Sequence, residues 1–153
     1  MKSPNTSIQG NRGFTLVEII LVVAIIAFIG ALGVVVGIDT YSRYIFRSDV
    51  DKVTALLQKA RSSAINNVNE KKYGVYLGDT SNFVLFRGSS YNPLDSFNYK
   101  VERSKAATST NTCIASQVVF DQLTGNTMGC EIIITEGSKV STTTVNAQGG
   151  INY

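Results

Sequence analysis

The segment NRGFTLVEIILVVAIIAFIGALGVVVGID, residues 11–39, is the most informative part of the 153-residue chain. From Phe14 to Ile38 the one ionisable residue is Glu18, and the remainder is apolar except for Thr15 and three glycines. A helix of these 25 residues would be roughly 37 Å long, which exceeds the bilayer core of about 30 Å. The segment therefore predicts a membrane-spanning helix.

The charges around this apolar run indicate its orientation. Lys2 and Arg12 precede it, whereas the residues just beyond it show no excess of cations. Because cytoplasmic flanks are enriched in Lys and Arg, we expect a cytoplasmic N-terminus with the bulk of the chain outside. A cleaved signal peptide would have a shorter apolar core and a small-residue cleavage site, and neither is present. A plain signal anchor fits the length but does not explain Glu18.

A cut between Gly13 and Phe14 would explain the position of Glu18. A carboxylate at the centre of a membrane costs about 2.5–3.5 kcal/mol, although near the end of the span it could reach water. The new α-amino group of Phe14 would be a cation at the edge of the hydrocarbon. Glu18 lies four residues further on, on the same helical face and near the positive end of the helix dipole. It could satisfy this cation in its own chain or in a neighbour's.

The motif Asn11-Arg12-Gly13-Phe14-Thr15-Leu16-Val17-Glu18-Ile19 resembles the processing motif of type IV pilins and type II secretion pseudopilins. The resemblance implies that a membrane-embedded prepilin peptidase cuts after Gly13 and methylates the new N-terminal Phe14. It also implies that Glu18 guides subunit docking. Residues 1–13 would then be a leader peptide, and residues 14–38 would be the transmembrane and assembly half of a long helix.

The apolar span departs from many major pilins because it has no proline and instead contains Gly30, Gly33 and Gly37. Glycine weakens a helix by about 1 kcal/mol relative to alanine, so these positions could permit local melting. The Gly33-x-x-x-Gly37 spacing could alternatively permit close helix packing. The simplest alternative is that glycine is common in membrane helices.

Residues 39–70 continue the helical pattern as an amphipathic helix. Apolar residues recur at three- and four-residue steps, and charged residues fill much of the rest. Joined to the apolar half, this segment predicts a helix of about 55 residues that ends near Asn66, Asn67 and Asn69. The expected core-facing positions are Tyr41, Tyr44, Ile45, Val50, Val53, Leu56, Leu57, Ala60, Ala64 and Val68.

Residues 71–153 predict a β-rich globular domain. Short β-branched and aromatic runs are separated by turn residues, and the first two runs form a hairpin around Gly78–Asn82. The predicted fold is therefore α+β, with the long helix packed on a small antiparallel β-sheet, as in the pilin fold. The predicted strands are Tyr73–Leu77, Phe83–Arg87, Phe97–Glu102, Gln117–Phe120, Glu131–Thr135 and Lys139–Val145, with an edge at Gly149–Ile151.

Three short segments of this soluble part are similar to H-type pseudopilins and related minor pilins. They are Lys59–Ala64 on the helix, Val119–Asp121 before Thr124-Gly125, and Val145–Gly150. These segments indicate little more than glycines at turn positions and a strand-forming C-terminal end.

Cys113 and Cys130 are the two cysteines of the chain. An even number of cysteines in an exported chain favours a disulfide bond. The bond would close a loop of roughly 18 residues and would contribute about 3 kcal/mol to stability. Two reduced and buried thiols are the alternative.

Composition argues against enzymatic and nucleic-acid functions. The chain has no histidine, and its carboxylates are scattered, so we expect no catalytic site, no metal site and no cofactor. The net charge is +3, but without Lys2 and Arg12 twelve cations face eleven anions. A DNA partner is therefore possible but is not supported by charge.

The sequence predicts a structural subunit of a type IV pilus or a secretion-like filament. Before assembly it would be a single-pass membrane protein in contact with lipid and with the prepilin peptidase. After assembly it would contact other copies or other pilins in an extracellular or periplasmic helical filament. The alternative is a tip-located minor pilin that binds DNA, a surface or an exported protein. Its expected variable surface is Ser89–Thr112, with Lys100, Arg103 and Lys105, unless this region is merely a solvated loop.

Overall fold

The computed structural model describes the backbone of residues 13–153 and the side chains of residues 13–32 and 40–153. Its first element is the helix α1, Leu16–Ile65, of 50 residues. The chain divides between Tyr41 and Ser42 into two compact units. The first unit contains the apolar part of α1, and the second contains the rest of α1 and all of the strands. Apart from Gly13, the predicted leader lies outside the described residues.

The C-terminal end of α1 is fixed by asparagines and by a distant loop. The helix ends at Ile65, and Asn67 and Asn69 have φ values of 53° and 52°. Asparagine adopts the left-handed conformation more readily than most residues do. The Ala64 carbonyl accepts a hydrogen bond of 2.9 Å from the Leu123 N–H. The prediction that asparagines end the helix is therefore confirmed.

Eight strands and two short 3₁₀ turns follow the helix. The 3₁₀ turns are Val68–Glu70 and Ile114–Ser116. The strands are β1 Tyr73–Tyr76, β2 Asn82–Arg87, β3 Tyr99–Glu102, β4 Thr108–Asn111, β5 Gln117–Phe120, β6 Cys130–Glu136, β7 Lys139–Val145 and β8 Ile151–Asn152.

The strands form two antiparallel sheets of four strands each, in the orders β3-β2-β1-β5 and β4-β6-β7-β8. A single sheet was expected, so this part of the prediction was too simple. The sequence also did not predict β4, because Thr108–Asn111 contains no apolar residue. This strand pairs with Ile132–Thr135 of β6, which supplies the apolar side chains of that pair.

The predicted hairpin is present and its turn is held by Asp79. Tyr73 pairs with Arg87 across β1 and β2. The Asp79 carboxylate accepts hydrogen bonds from the N–H groups of Ser81 at 2.7 Å and Asn82 at 3.2 Å. These bonds favour the charged carboxylate and, led by the one from Ser81, hold the pKa of Asp79 below its usual value.

One buried cluster joins the globular part of α1 to both sheets. The expected helix stripe is correct in its centre but wrong at its ends, because Tyr41, Tyr44 and Val68 are exposed. Phe46, which was not predicted, is buried instead. The largest fully buried side chains are Tyr73, Phe83, Phe86, Phe120, Leu57, Leu77, Leu85, Ile132 and Ile134.

Asp49 is a completely buried acid on the core-facing side of α1. One carboxylate oxygen accepts a hydrogen bond of 2.8 Å from the Ser104 N–H, and the other contacts Lys52 Nζ at 2.9 Å. Lys52 also donates to the Glu102 carbonyl at 3.0 Å. Asp49 therefore links α1 to the loop that follows β3.

Asp49→Ala is expected to lower the free energy of unfolding by about 2 kcal/mol, because the Ser104 N–H loses its charged acceptor. Lys52 is partly exposed and can turn to water, so its contribution is small. Urea denaturation of the full-length protein in detergent measures the change. Asp51→Ala is the matched control, since Asp51 is exposed on the same helix and its loss should cost below about 0.5 kcal/mol. Equal losses in the two variants would contradict the role given to Asp49.

The predicted disulfide between Cys113 and Cys130 is present, with an S–S distance of 2.13 Å. It joins the segment between β4 and β5 to the first residue of β6. The backbones are also bonded there, since the Thr112 N–H donates to the Glu131 carbonyl at 2.9 Å. The disulfide thus covalently links two segments that are already joined by a backbone hydrogen bond.

The double variant Cys113→Ala/Cys130→Ala is expected to lose about 3 kcal/mol of unfolding free energy, mainly because its unfolded chain is less constrained. Denaturation with and without dithiothreitol checks this. The reductant should destabilise the wild type by a similar amount and should leave the double variant unchanged. An unchanged wild-type midpoint under reducing conditions would contradict the prediction.

Candidate processing and assembly site

Gly13 and Phe14 lie in irregular, exposed chain just before α1. Among the described residues, no side-chain or distant backbone atom lies within 4 Å of the place where a Gly13 side chain would start. The Phe14 side chain is 78% exposed. The peptide bond between these residues is therefore accessible, in a segment whose backbone no helix or strand holds.

The start of α1 is capped by Thr15. The Thr15 hydroxyl oxygen accepts a hydrogen bond of 3.2 Å from the Glu18 N–H, and the Thr15 carbonyl accepts one of 3.2 Å from the Ile19 N–H. Thr15 is therefore the N-cap residue, and Glu18 occupies the third helical position, as in a capping box. The helix begins at Leu16, two residues later than the apolar run. The Thr-x-x-Glu spacing is a local signal of this cap, which was not predicted.

Glu18 is exposed in the first turn of α1, where the unpaired N–H groups favour a negative charge. It is the one acid or base among residues 13–32. The structure therefore places a single carboxylate within one turn of the exposed Gly13-Phe14 bond.

The side chains that follow form a long exposed apolar surface. Large apolar side chains between Phe14 and Leu32 are 45–78% exposed. Exposed apolar surface of this extent marks a membrane or protein contact. Among residues whose side chains are described, no helix is both long and apolar enough to cross a membrane. The predicted span 14–38 extends into residues 33–39, whose side chains are not described.

Of the three glycines predicted to allow packing or melting, Gly30 is described in full. A side chain at Gly30 would meet no atom within 4 Å, so space is open for a neighbouring helix. Gly33 and Gly37 lie outside the residues whose side-chain surroundings are described. The backbone of α1 remains helical through all three positions. Their packing or melting role stays a prediction.

Parts of the segments 59–64, 119–125 and 145–150 meet at one place in the globular unit. Gly125 and Gly149 both have positive φ, 68° and 75°, and a side chain on Gly149 would collide with the Gly125 carbonyl oxygen. Arg61 lies against both glycines and donates a hydrogen bond of 3.4 Å to the Gln148 carbonyl. The sequence did not predict this contact between helix and two turns.

Arg103 belongs to the protein's internal structure rather than to a free basic surface. Its guanidinium donates to the carbonyls of Asp79 at 3.3 Å and Ala107 at 2.7 Å, and it lies over the Phe83 ring. The expectation that Arg103 is part of a variable surface is therefore wrong. Lys100 and Lys105 are exposed.

Within the described ranges, no group of three or more His, Cys, Asp or Glu side chains could hold a metal ion. The two cysteines are joined to each other. The start of α1 offers an accessible peptide bond, one carboxylate and an apolar contact surface.

Comparisons with known proteins support the same interpretation. Residues 8–34 match the family described as the prokaryotic N-terminal methylation motif. No curated protein matches the chain at a significant level. A crystal structure of the type IV minor pilin FimU of Pseudomonas aeruginosa strain PAO1 has a TM-score of 0.57 and 16% identity, covering 72% of this chain and 89% of that chain. A second crystal form of FimU has a TM-score of 0.52 and 18% identity, covering 69% and 90%.

At this identity the likeness to FimU shows a shared fold and nothing more. The chain therefore combines the N-terminal methylation motif with the α+β fold of pilins. The predicted fold and the predicted resemblance to type IV pilins are confirmed.

Proposed function

We propose that this chain is a prepilin, processed after Gly13 and assembled into a filament through its apolar helix. The observation that carries the proposal is the arrangement at the start of α1. There an accessible Gly13-Phe14 bond precedes a capped helix whose exposed apolar surface carries the single carboxylate of Glu18.

Cleavage creates the charge that Glu18 needs. Hydrolysis of the peptide bond leaves a carboxylate on Gly13 of the leader and an α-amino group on Phe14 of the mature chain. Methylation replaces one hydrogen of that amine and leaves it basic, so it remains a cation near neutral pH. In the filament, this cation pairs with Glu18 of the same or a neighbouring subunit. A pair costs less to bury than either charge alone.

The remaining segments have distinct roles in this proposal. Residues 1–13 are the leader, and residues 14–38 hold the precursor in the membrane before they pack in the filament. Residues 39–70 carry the amphipathic half of the helix, and residues 71–153 form the globular domain. The N-terminus is cytoplasmic, and the globular domain is outside. The prepilin peptidase and membrane lipid are the partners before assembly, and other pilins are the partners after it.

The fold shared with FimU supports a minor subunit, because FimU is described as a type IV minor pilin. Fractionation of surface filaments tests the filament role and the abundance together. The subunit should copurify with sheared filaments, as a trace component if it is minor and as the main component if it is major. A protein confined to the cell membrane under conditions that produce filaments would contradict the proposal.

A second candidate role is a binding module at the filament tip, for DNA, a surface or an exported protein. The observation that favours it is a cleft beside β5, of about 350 Å³. The cleft is lined mainly by uncharged groups, so it supports a protein ligand better than DNA.

A further inference from the structure

The outer edge of β5 presents backbone groups that the sheet does not use. β5 pairs with β1 on one side, with Val118 opposite Val75 and Val119 opposite Gly74. Just beyond the strand, the Leu77 N–H donates to the Ser116 carbonyl directly opposite it, at 2.8 Å. Hydrogen-bonded and non-bonded pairs alternate along an antiparallel ladder. Val118 and Phe120 therefore bond to β1, whereas Gln117 and Val119 direct their N–H and C=O groups away from it.

The outward groups of Val119 have no hydrogen-bond partner among residues 13–153. The next outward residue, Asp121, is satisfied locally. Its N–H donates to the Asn126 carbonyl at 2.7 Å, and its carbonyl accepts from the Gly125 N–H at 2.8 Å. The Gln117 N–H is also satisfied locally, because it donates to the Ile114 carbonyl. The unused groups are therefore the Gln117 carbonyl and the N–H and carbonyl of Val119.

A cleft of about 350 Å³ lies along this edge. Gln117, Val118 and Val119 line one part of it, and Thr127 and Met128 line another. The side chains of Ile114 and Met128 also line it and are 63% and 76% exposed. The disulfide and the 2.7 Å ion pair between Lys72 and Asp121 complete the lining.

Two other edge strands, β3 and β4, lack this combination. β3 carries exposed Lys100 and Glu102, and charged residues protect an edge against pairing. β4 is wholly polar, with the sequence Thr-Ser-Thr-Asn. Of these three edges, only β5 has both unused backbone groups and exposed aliphatic side chains that line a cleft.

We propose that this cleft binds an extended peptide segment of a partner protein by strand addition to β5. Unused N–H and C=O groups at strand spacing are complementary to another extended backbone, which is how peptides bind sheet edges. The residue opposite Val119 would form two backbone bonds, and the residue opposite Gln117 would donate its N–H to the Gln117 carbonyl. The residue between them would face the same side as Val118, whose side chain belongs to the core cluster that includes Cys113. A small aliphatic side chain fits that position.

The partner's specificity follows from the cleft lining. Exposed Ile114 and Met128 favour aliphatic side chains on the bound segment, and methionine adapts to different shapes. The free edge is short, so the segment needs about three residues, which extend about 10 Å. The cleft lies wholly in the globular unit, and the inference therefore does not depend on processing at Gly13.

Peptide binding to the full-length protein in detergent micelles tests the proposal. The probe is an acetylated and amidated Thr-Val-Thr-Val-Thr peptide, which places valine opposite Val118 and threonine opposite Gln117 and Val119. Its control is the same peptide methylated on the threonine nitrogens, which removes the N–H groups that would face β5. At saturating peptide, we expect hydrogen exchange of the Val119 amide to slow by about tenfold or more, and the methylated control to leave it unchanged.

Two protein variants make the test specific. Val119→Pro removes the outward N–H that β1 does not use, and proline is tolerated at such edge positions. Met128→Glu places a charge at the exposed side of the cleft without touching the backbone. Each should weaken peptide binding by about tenfold or more. Leu94→Glu is the matched control, because Leu94 is 90% exposed and does not line the cleft, so binding should stay within about twofold.

The outcomes divide clearly. Protection of the Val119 amide by the peptide, lost in Met128→Glu and retained in Leu94→Glu, supports strand addition even if Val119→Pro fails to fold. Unchanged exchange at millimolar peptide overturns the proposal. Equal binding by wild type and Met128→Glu also overturns it. If protection of the Val119 amide rises with protein concentration in the absence of peptide, the cleft binds a second copy of this chain. That result would overturn the proposal of a partner peptide.

Discussion

Glu18→Ala is expected to leave cleavage after Gly13 largely intact and to reduce filament yield by about tenfold or more. Removal of the carboxylate leaves the Phe14 amine without its partner in an apolar contact surface. An unpaired charge in such surroundings costs about 2.5–3.5 kcal/mol, and about 1.4 kcal/mol already corresponds to a factor of ten. Immunoblots of the cell-bound protein measure processing, and quantification of sheared filaments measures assembly.

Glu18→Gln separates the charge of Glu18 from its place in the helix cap. Glutamine fits the third helical position of a capping box but carries no charge. If charge pairing drives assembly, this variant fails as Glu18→Ala does. Thr15→Val is the converse control, because it removes the hydroxyl that caps α1 and keeps the carboxylate. Wild-type filament yield from Glu18→Gln would contradict the pairing account.

Gly149→Ala is expected to destabilise the globular unit by about 3–4 kcal/mol. The new methyl group would collide with the Gly125 carbonyl oxygen, which belongs to backbone and cannot rotate away. Overpacking costs about 1–3 kcal/mol, and the positive φ of 75° adds about 1 kcal/mol or more for any residue with a side chain. Chemical denaturation in detergent, followed by circular dichroism, measures the loss.

Gly137→Ala is the matched control for this collision. Gly137 also has a positive φ, 60°, but a side chain there would meet no atom within 4 Å. Its substitution should therefore cost only the conformational strain, about 1–2 kcal/mol. The difference between the unfolding free energies of the two variants measures the energetic effect of the contact between the two turns beside Arg61. If Gly149→Ala cost no more than Gly137→Ala, the contact would have no energetic role.

Local patterns predicted the helix and most of the strands because those elements are specified by neighbouring residues. The apolar run and the three- and four-residue spacing after it predicted α1, and Asn67 and Asn69 predicted its end. Alternating β-branched and aromatic residues predicted β1, β2, β5 and β7. β4 could not be predicted, because its pairing with β6 depends on residues more than twenty positions away.

Contacts between residues distant in sequence also determine which charged side chains are held inside the folded domain. Asp49 occupies a core position on α1, but an acid there is stable only because the Ser104 N–H and Lys52 contact it. Arg103 lies in a polar region of sequence, and its partners Asp79 and Ala107 become neighbours only after folding. Acidic and basic residues are usually exposed, so composition favours a surface position for Arg103, whereas its contacts form only after folding.

The candidate processing site remains a prediction, and its residues are close together in sequence. Gly13, Phe14 and Glu18 lie within six residues, so a local motif contains them all. The cap by Thr15 is equally local, since the hydroxyl of Thr15 and the N–H of Glu18 are three residues apart. The cleft beside β5 had no sequence signal, since it depends on which backbone groups β1 leaves unused.

Mass spectrometry of the protein from cells that contain a prepilin peptidase tests the central proposal most directly. The account predicts a mature chain that begins at Phe14 and carries one methyl group on its α-amine. An intact N-terminus at Met1, or a cut after Ile38, would contradict it.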